Sequence, residues 1–227
     1  LKNLIKEHPK TDFKVVDASG MWTEIDSKDE FTKFLFGSKA ETLQRISPYI
    51  KKSHILPQIH FNYKEWLENK SEILTDIKKI KSSRIIVRSS SLDEDSWESS
   101  NAGAYLSIKD VKPNNEKIVS YSIDKVFNSY SSTKLNNQVL IQPFIKKSKI
   151  NGVIFTRTLE KGLPYYTISY DSTLFKTDTI TSGNSNDINT VNIYRNTNTT
   201  KLKSLYKKLI NATKEIEQLF NYTSLDL

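Results

Sequence analysis

The chain has 227 residues, of which 37% are hydrophobic and 11% aromatic, a composition typical of a folded globular protein and too apolar for a disordered one. Its 34 lysines and arginines exceed its 26 aspartates and glutamates and give a formal charge of +8, but they lie in small groups, without an RNA-binding consensus or a zinc-finger spacing. The lack of cysteine excludes disulfides, thiolate zinc sites and cysteine nucleophiles, and no apolar run approaches the roughly 20 residues of a membrane helix.

These observations predict a protein that binds neither nucleic acid nor a membrane, and the lack of a signal sequence predicts a cytoplasmic location. The charge of +8 still leaves a non-enzymatic polyanion-binding module as an alternative. The chain begins at Leu1 with neither an initiator methionine nor a signal sequence, so we expect a piece of a longer protein.

The first third of the chain is predicted to combine one strand with several helices. Residues 13–17 form a short strand pattern, and a capping-box pattern at Ser27 opens a helix. Apolar residues at helical spacing predict further helices over residues 38–49 and 63–80. Pro57 is expected to end regular structure between those two helices.

From Arg84 onward the sequence changes to β-branched segments. Residues 85–87 predict a buried strand, and the polar run from Arg88 to Gly103 predicts a loop. The remaining predicted elements are a helix at 117–130, strands at 139–144, 153–156 and 165–170, an edge strand at 191–194, and a final helix at 200–220. This order predicts an α+β fold with a mainly antiparallel sheet, divided into a helix-rich part of about residues 1–80 and a strand-rich part of about residues 84–227.

Arg88 is the first candidate functional residue. It leaves a buried strand and precedes three serines, Ser89 to Ser91. A rigidly held guanidinium beside hydroxyl donors and a flexible backbone suits an anion. The alternative is a structural arginine paired with Asp93 or Glu94, and the residues alone leave that choice open.

Lys39 is the second candidate because it lies in the first turn of a predicted helix, just after Gly37. A helix N-terminus with a lysine places a cation and backbone donors beside a phosphate. The segment lacks the spacing of a P-loop. A surface lysine is the alternative.

The third candidate is a pair of apolar segments, residues 138–145 and 152–157, which a basic turn separates. They are predicted to form a hairpin. An apolar slot bordered by backbone groups suits a purine ring, and ordinary core packing is the alternative.

Taken in chain order, these motifs resemble the N-terminal nucleotide-binding domain of the phosphoenolpyruvate synthase and pyruvate phosphate dikinase family over about residues 35–227. The motifs are Gly37-Ser-Lys39-Ala-x-x-Leu43, Val87-Arg88-Ser-Ser followed by Glu94-Asp95, Ala102-Gly103, Val139 to Ile145, and Gly152-Val-Ile-Phe-Thr156-Arg157. The resemblance implies an ATP-grasp-like fold of two lobes with mainly antiparallel sheet and flanking helices. It also implies ATP and Mg²⁺ as cofactors.

The resemblance assigns roles to the phosphate-binding residues. Lys39 and Arg88 match the family's phosphate-binding lysine and arginine, and are the expected catalytic residues. Ala102 and Gly103 match the loop that closes over the phosphates.

The resemblance also assigns residues to adenine and to the metal. The family's adenine-holding hinge corresponds to Gln142, Pro143, Phe144 and Ile145, and Thr156 lies on the strand that follows. Asp226 matches the first carboxylate of the family's Asp-x-Glu element, which holds magnesium between ATP phosphates. The matching Glu and a later Gln would lie beyond residue 227, so we expect an incomplete metal site and a fragment that binds nucleotide without turnover.

Departures from the family pattern favour one branch. Asn101 replaces the family's Phe, and the Gly-Leu-Gly-Glu segment is absent. With Asp17 and Trp22 ahead of the Gly37 motif, the chain resembles the glutamine kinases, which phosphorylate the amide nitrogen of L-glutamine for capsular phosphoramidate. A phosphoenolpyruvate synthase or an antibiotic phosphotransferase of the same superfamily is the alternative.

The family passes its phosphoryl group through a histidine on a mobile domain. The chain's histidines, His8, His54 and His60, lack a phosphohistidine context. We therefore expect the carrier-histidine and acceptor domains to lie outside these 227 residues.

Overall fold

The computed structural model describes residues 13–16, 22–25, 37–91, 95–96, 99–100, 106–130, 137–171, 188–220 and 225–227. The strands are β1 (Phe13–Val16), β2 (Trp22–Ile25), β3 (Ile59–Asn62), β4 (Ile85–Ser90), β5 (Asp95–Ser96), β6 (Ser99–Ser100), β7 (Ser107–Val111), β8 (Gln138–Pro143), β9 (Asn151–Phe155), β10 (Tyr165–Asp171) and β11 (Ile188–Tyr194). The helices are α1 (Lys39–Ile46), α2 (Tyr63–Glu68), α3 (Lys70–Lys79), α4 (Glu116–Asn128) and α5 (Ser204–Leu219), with 3₁₀ turns at Ser47–Tyr49 and Thr199–Lys201.

The first sheet has four antiparallel strands in the order β3-β8-β4-β7. Alternate side chains of β4 and β8, among them Val87 and Ile141, are fully buried against α3 and α4. Trp66 completes this core, since its ring stacks on Phe61 at 5.7 Å and its Nε1 donates to Asp124 at 2.7 Å. One face of the first sheet is therefore committed to packing.

The second sheet has the order β11-β10-β9 and is also antiparallel. Residues 225–227 extend it beside β9, where Ile154 and Leu227 exchange backbone hydrogen bonds of 2.9 and 3.0 Å. Its core face packs on α5 through Tyr166, Ile168 and Ile210, each about 1% exposed. The predicted edge strand is confirmed, because β11 lies at one side of this sheet.

A carboxylate connects α5 to the segment that follows α1. Glu215 accepts hydrogen bonds from the backbone N–H groups of Lys51, at 3.0 Å, and Lys52, at 2.8 Å. These bonds, that of Lys52 first, lower the pKa of Glu215 below its ordinary value. The contact joins the N-terminal segment to the second sheet's helix.

The prediction of a single helix over residues 63–80 is wrong. The chain forms α2 and α3, which are separated at Asn69, where φ of −122° and ψ of 27° lie outside the helical range. Asparagine favours such breaks because it forms alternative local hydrogen bonds. Apolar periodicity continues across the break, so the pattern alone did not reveal it.

Several further segments differ from the sequence predictions. Arg88 to Ser90 belong to strand β4 rather than to a loop, since they pair with β8 despite their polarity. The short strands β3 and β7 were not predicted. The predicted hairpin of residues 138–145 with 152–157 does not form, because β8 lies in the first sheet and β9 in the second.

The fold class agrees with the α+β prediction at a coarse level. The described residues form mixed helix and strand structure, with two larger antiparallel sheets and flanking helices. Within the same part of the chain, no helix combines the length and the apolar character needed to cross a membrane.

Candidate functional site

The face of the first sheet opposite its helical core carries the candidate site. Strand neighbours alternate between faces, so the residues that flank Val87 point away from α3 and α4. We call this surface the Arg88 face; it consists of Ile86, Arg88 and Ser90 of β4 and Gln138, Leu140 and Gln142 of β8. His60 of β3, opposite Leu140, extends the same face.

Arg88 lies in the middle of this face and is half-buried. Its Nε atom is buried and, among the described residues, has no hydrogen-bond partner. A buried donor without a partner costs about 1–3 kcal/mol, so native structures usually supply one. A bound anion is the ligand that a guanidinium fits best.

Helix α1 brings Lys39 to the same face. The N–H of Ala40 donates to the Ser90 Oγ at 2.9 Å, and Ser90 lies two residues from Arg88, about 7 Å along the strand. Gln58 also holds the helix start, since its Nε2 donates to the Ala40 carbonyl at 2.7 Å. The structure therefore places the start of α1, which carries Lys39, beside the strand of Arg88, although the two residues are distant in sequence.

Gly37 permits this approach of α1. Its φ of +59° lies in the left-handed region, and an added Cβ would lie 2.2 Å from Glu41 Oε2 and 2.9 Å from Glu41 Cβ. Glycine is therefore required for both the conformation and the space. This agrees with the importance that the sequence analysis gave to Gly37.

A group of three polar residues, which we call the clasp, fixes the start of α1 to β8. Ser38 and Glu41 form a capping box, in which the Ser38 N–H donates to Glu41 Oε2 at 2.9 Å and the Glu41 N–H donates to Ser38 Oγ at 3.4 Å. Gln138 contacts both residues: its Oε1 accepts from Ser38 Oγ at 2.6 Å, and its Nε2 donates to Glu41 Oε1 at 2.8 Å.

Buried polar contacts stabilise the ends of β4 and β8 next to the clasp. Tyr130 Oη accepts from the Ser90 N–H at 3.0 Å and donates to the Gln138 carbonyl, so one hydroxyl bridges β4 and β8. Beside it, Ser91 Oγ donates to Asn137 Oδ1 at 3.2 Å. The serines after Arg88 thus hold the site together.

The sequence analysis missed the clasp, although one signal was present. Ser38-x-x-Glu41 is a capping-box pattern and could have been recognised. The contribution of Gln138 could not, because 97 residues separate it from Glu41 in the chain.

The predicted hinge, Gln142 to Ile145, begins at the Arg88 face, to which Gln142 belongs. Gln142 is diagonal to Arg88 across β4 and β8, roughly 7–8 Å away at Cα. Pro143 has no N–H, and the Phe144 N–H donates to the Arg84 carbonyl at 2.9 Å. In the described part of the chain, Ile145 therefore carries the first N–H after Gln142 that a ligand could use.

Thr156 is fully buried at the end of β9 and already makes protein contacts. Its Oγ1 accepts from the Leu225 N–H at 2.8 Å, and its N–H donates to the Leu225 carbonyl at 3.0 Å. These bonds fix the strand at residues 225–227. The contribution of Thr156 that we observe is structural, and its role toward a nucleotide stays a prediction.

A buried ion pair supports this strand end. Arg195 Nη1 donates to Glu217 Oε1 at 2.6 Å and to the Thr156 carbonyl at 2.7 Å. Tyr166 Oη donates to the other Glu217 oxygen at 2.7 Å, and its ring lies 4.7 Å from the Arg195 guanidinium. Every charge in this group therefore has a partner.

Asp226, the predicted metal ligand, is exposed and lies opposite Phe155 beside β9. Its carboxylate is a hard oxygen ligand of the kind that Mg²⁺ binds. Within the described residues, no group of three or more His, Cys, Asp or Glu side chains could hold a metal ion. Ala102 and Gly103 lie outside the described residues, as do Asp93 and Glu94.

Comparisons with known proteins establish no relationship for this site. No protein-family model matches the chain, and no curated protein matches it. The similarity to the phosphoenolpyruvate synthase family therefore stays a resemblance carried by sequence motifs.

Proposed function

We propose that this chain is the ATP-binding part of a phosphotransferase with an ATP-grasp-like fold. The observation that carries the proposal is the buried Nε of Arg88, which has no partner among the described residues, on the sheet face where helix α1 begins. Two cations near one sheet face suit a polyphosphate.

In this proposal the nucleotide phosphates lie between Lys39 and Arg88. Phosphoryl transfer requires positioning and charge neutralisation more than covalent help from the protein. Arg88, held on a strand, offers a preorganised fork of donors, and Lys39 offers a point charge. Both residues would stabilise the charge that develops on the transferred group.

The hinge is proposed to receive adenine. The Ile145 N–H, together with backbone carbonyls and the Gln142 amide, can meet the polar edge of a purine. Ile86, which is half-buried on the same face, provides an apolar contact beside it. Ala102 and Gly103 are proposed to close over the phosphates.

Asp226 is proposed as one of the ligands of Mg²⁺, which would neutralise phosphate charge when bound. Arg195 and Thr156 keep the strand of Asp226 beside β9. The other metal ligands, the carrier histidine and the acceptor domain are proposed to lie outside these residues.

We propose the amide nitrogen of L-glutamine as the final phosphoryl acceptor, as in the glutamine kinase branch. A phosphoenolpyruvate synthase or an antibiotic phosphotransferase would use the same nucleotide domain. Offering glutamine, pyruvate and aminoglycosides to the chain together with its downstream domains would distinguish these reactions. Phosphorylation of glutamine is the expected result, and exclusive use of another acceptor would contradict it.

Calorimetry with ATP tests the nucleotide site. Arg88→Ala and Lys39→Ala should each weaken ATP binding by about 10- to 100-fold, because each removes a charge-assisted hydrogen bond of roughly 1.5–3 kcal/mol. Lys79→Ala is the matched control, since it removes an exposed cation from α3 on the other side of the sheet. Equal ATP affinity in the wild type and Arg88→Ala would reject the site.

The charge of +8 supports one other candidate, a polyanion-binding module. Such a module would bind DNA or RNA with an affinity that falls steeply as salt rises. Strong, salt-sensitive binding that Arg88→Ala leaves unchanged would favour that candidate. We expect weak binding instead, because the cations are scattered.

A further inference from the structure

We infer that Gln138 is a positioning residue that sets the place of Lys39 relative to Arg88, and thereby the affinity of the site for polyphosphate. The inference rests on the proposed function and names a residue that the family motifs do not assign.

The chemistry of the Gln138 side chain matches both members of the clasp. Its oxygen accepts from Ser38 and its nitrogen donates to Glu41, at 2.6 and 2.8 Å. A carboxamide offers a donor and an acceptor at once, which a carboxylate or an apolar side chain does not. Both contacts flank Lys39, which lies between Ser38 and Glu41 in the chain.

Gln138 also lies directly opposite Ser90 in the sheet. Ser90 in turn accepts from the N–H of Ala40 at 2.9 Å. The start of α1 is thus attached to β8 through Gln138 and to β4 through Ser90. Since Arg88 is two residues from Ser90 on β4, these contacts fix the Lys39 backbone relative to Arg88.

The contacts of Gln138 are not needed to cap the helix. Ser38 and Glu41 satisfy each other's backbone N–H groups without it. Loss of Gln138 should therefore leave α1 formed and still attached through the contacts of Ala40 with Ser90 and Gln58, but no longer fixed to β8, so that its start can shift. A lysine acting on phosphate is sensitive to such a shift, because misplacement of about 1 Å is costly at a preorganised site.

A double-mutant cycle with two ligands tests the inference. Gln138→Met should weaken ATP binding by about tenfold, the equivalent of one hydrogen bond of roughly 1.4 kcal/mol. Adenosine binding, measured by NMR titration, should stay unchanged because adenosine lacks phosphates. In a Lys39→Met background, the same change should alter ATP affinity less than about twofold.

Matched variants separate this role from a structural one. Asn192→Ala removes a side-chain hydrogen bond from Thr167 in the second sheet and should leave both ligands unaffected. Gln138→Leu also removes both contacts and adds no charge that could repel phosphate. It should reproduce the selective loss of ATP binding, and it is the second variant if Gln138→Met does not fold.

Three outcomes would overturn the inference while the proposed function stands: unchanged ATP binding in Gln138→Met, equal loss of ATP and adenosine binding, or additive effects of the Gln138 and Lys39 changes. Failure of the wild type to bind ATP would reject the proposed function, and the inference with it. The wild-type titration alone distinguishes these cases.

Discussion

Two arginines of this protein occupy contrasting environments. Arg195 is paired with the buried Glu217, donates to the Thr156 carbonyl and stacks on Tyr166. Arg88 lies on a strand with a buried Nε that has no partner among the described residues. Arg195 thus has a carboxylate partner within the described residues, whereas the group that would complete the Arg88 Nε is proposed to be a ligand.

Removal of the carboxylate partner of Arg195 is expected to have the largest effect on stability. Glu217→Ala leaves the Arg195 charge, only 16% exposed, without its carboxylate. We expect the free energy of unfolding to fall by about 3 kcal/mol, near the lower end of values for broken buried pairs because Arg195 keeps some solvent contact. Urea unfolding measures this change, and a loss below about 1 kcal/mol would show that the pair is not structural.

Replacement of Gly37, which precedes helix α1 next to the Arg88 face, is expected to have the next largest effect on stability. Gly37→Ala forces an L-residue into a φ of +59° and brings its Cβ against Glu41. We expect destabilisation by about 1–2 kcal/mol in thermal unfolding, together with weaker ATP binding, because the capping carboxylate must move. Gly162→Ala is the control: it has the same φ but nothing within 4 Å of the added Cβ. Full ATP affinity in Gly37→Ala would contradict the placement of Lys39.

Arg88 itself should matter little for the stability of the free protein. Arg88→Met removes an unsatisfied donor, so we expect the free energy of unfolding to change by less than about 0.5 kcal/mol or to rise. ATP at 100 times its Kd should stabilise the wild type by about 2.7 kcal/mol, and the variant far less at the same concentration. A strongly destabilised Arg88→Met in the absence of nucleotide would mean that Arg88 is structural, like Arg195.

The smallest effect concerns Glu215, a half-buried residue on the same helix as Glu217. Its backbone hydrogen bonds lower its pKa from the ordinary value of 4.5. The stability it contributes is therefore full above that value and is lost as the pH falls through the lower pKa of the folded state. The wild type should have a modestly higher Tm than Glu215→Gln at neutral pH, and the difference should vanish in acid. A difference that persists in acid would point to another cause.

The sequence predicted the local parts of this molecule better than the contacts between them. Segments with clear periodicity, such as α5 and β10, were predicted within a few residues. The apolar pattern continues through Asn69, whereas the break depends on the backbone conformation of that residue. Helix periodicity therefore did not reveal it. The polar end of β4 was predicted as a loop, because the local sequence does not show that the Ser90 N–H donates to the Tyr130 hydroxyl.

The sequence likewise predicted the local motifs of the candidate site but not the contacts between them. Gly37, Lys39 and Arg88 were selected from short motifs, and the structure places the start of α1, which carries Lys39, against Ser90 on the sheet face of Arg88. Gln138 and Tyr130, which hold that face together, are connected to it only through long-range hydrogen bonds. Such contacts follow from the pairing of strands and have no signature in a single sequence.

Heteronuclear NMR of the arginine Nε–H groups tests the contrast between the two arginines most directly. With the signals assigned through Arg88→Lys and Arg195→Lys, ATP should shift the Arg88 Nε–H resonance strongly, because that donor gains its missing partner. The Arg195 resonance should stay in place. An unmoved Arg88 signal at saturating ATP, or equal shifts of both signals, would contradict the assignment of Arg88 to the phosphate site.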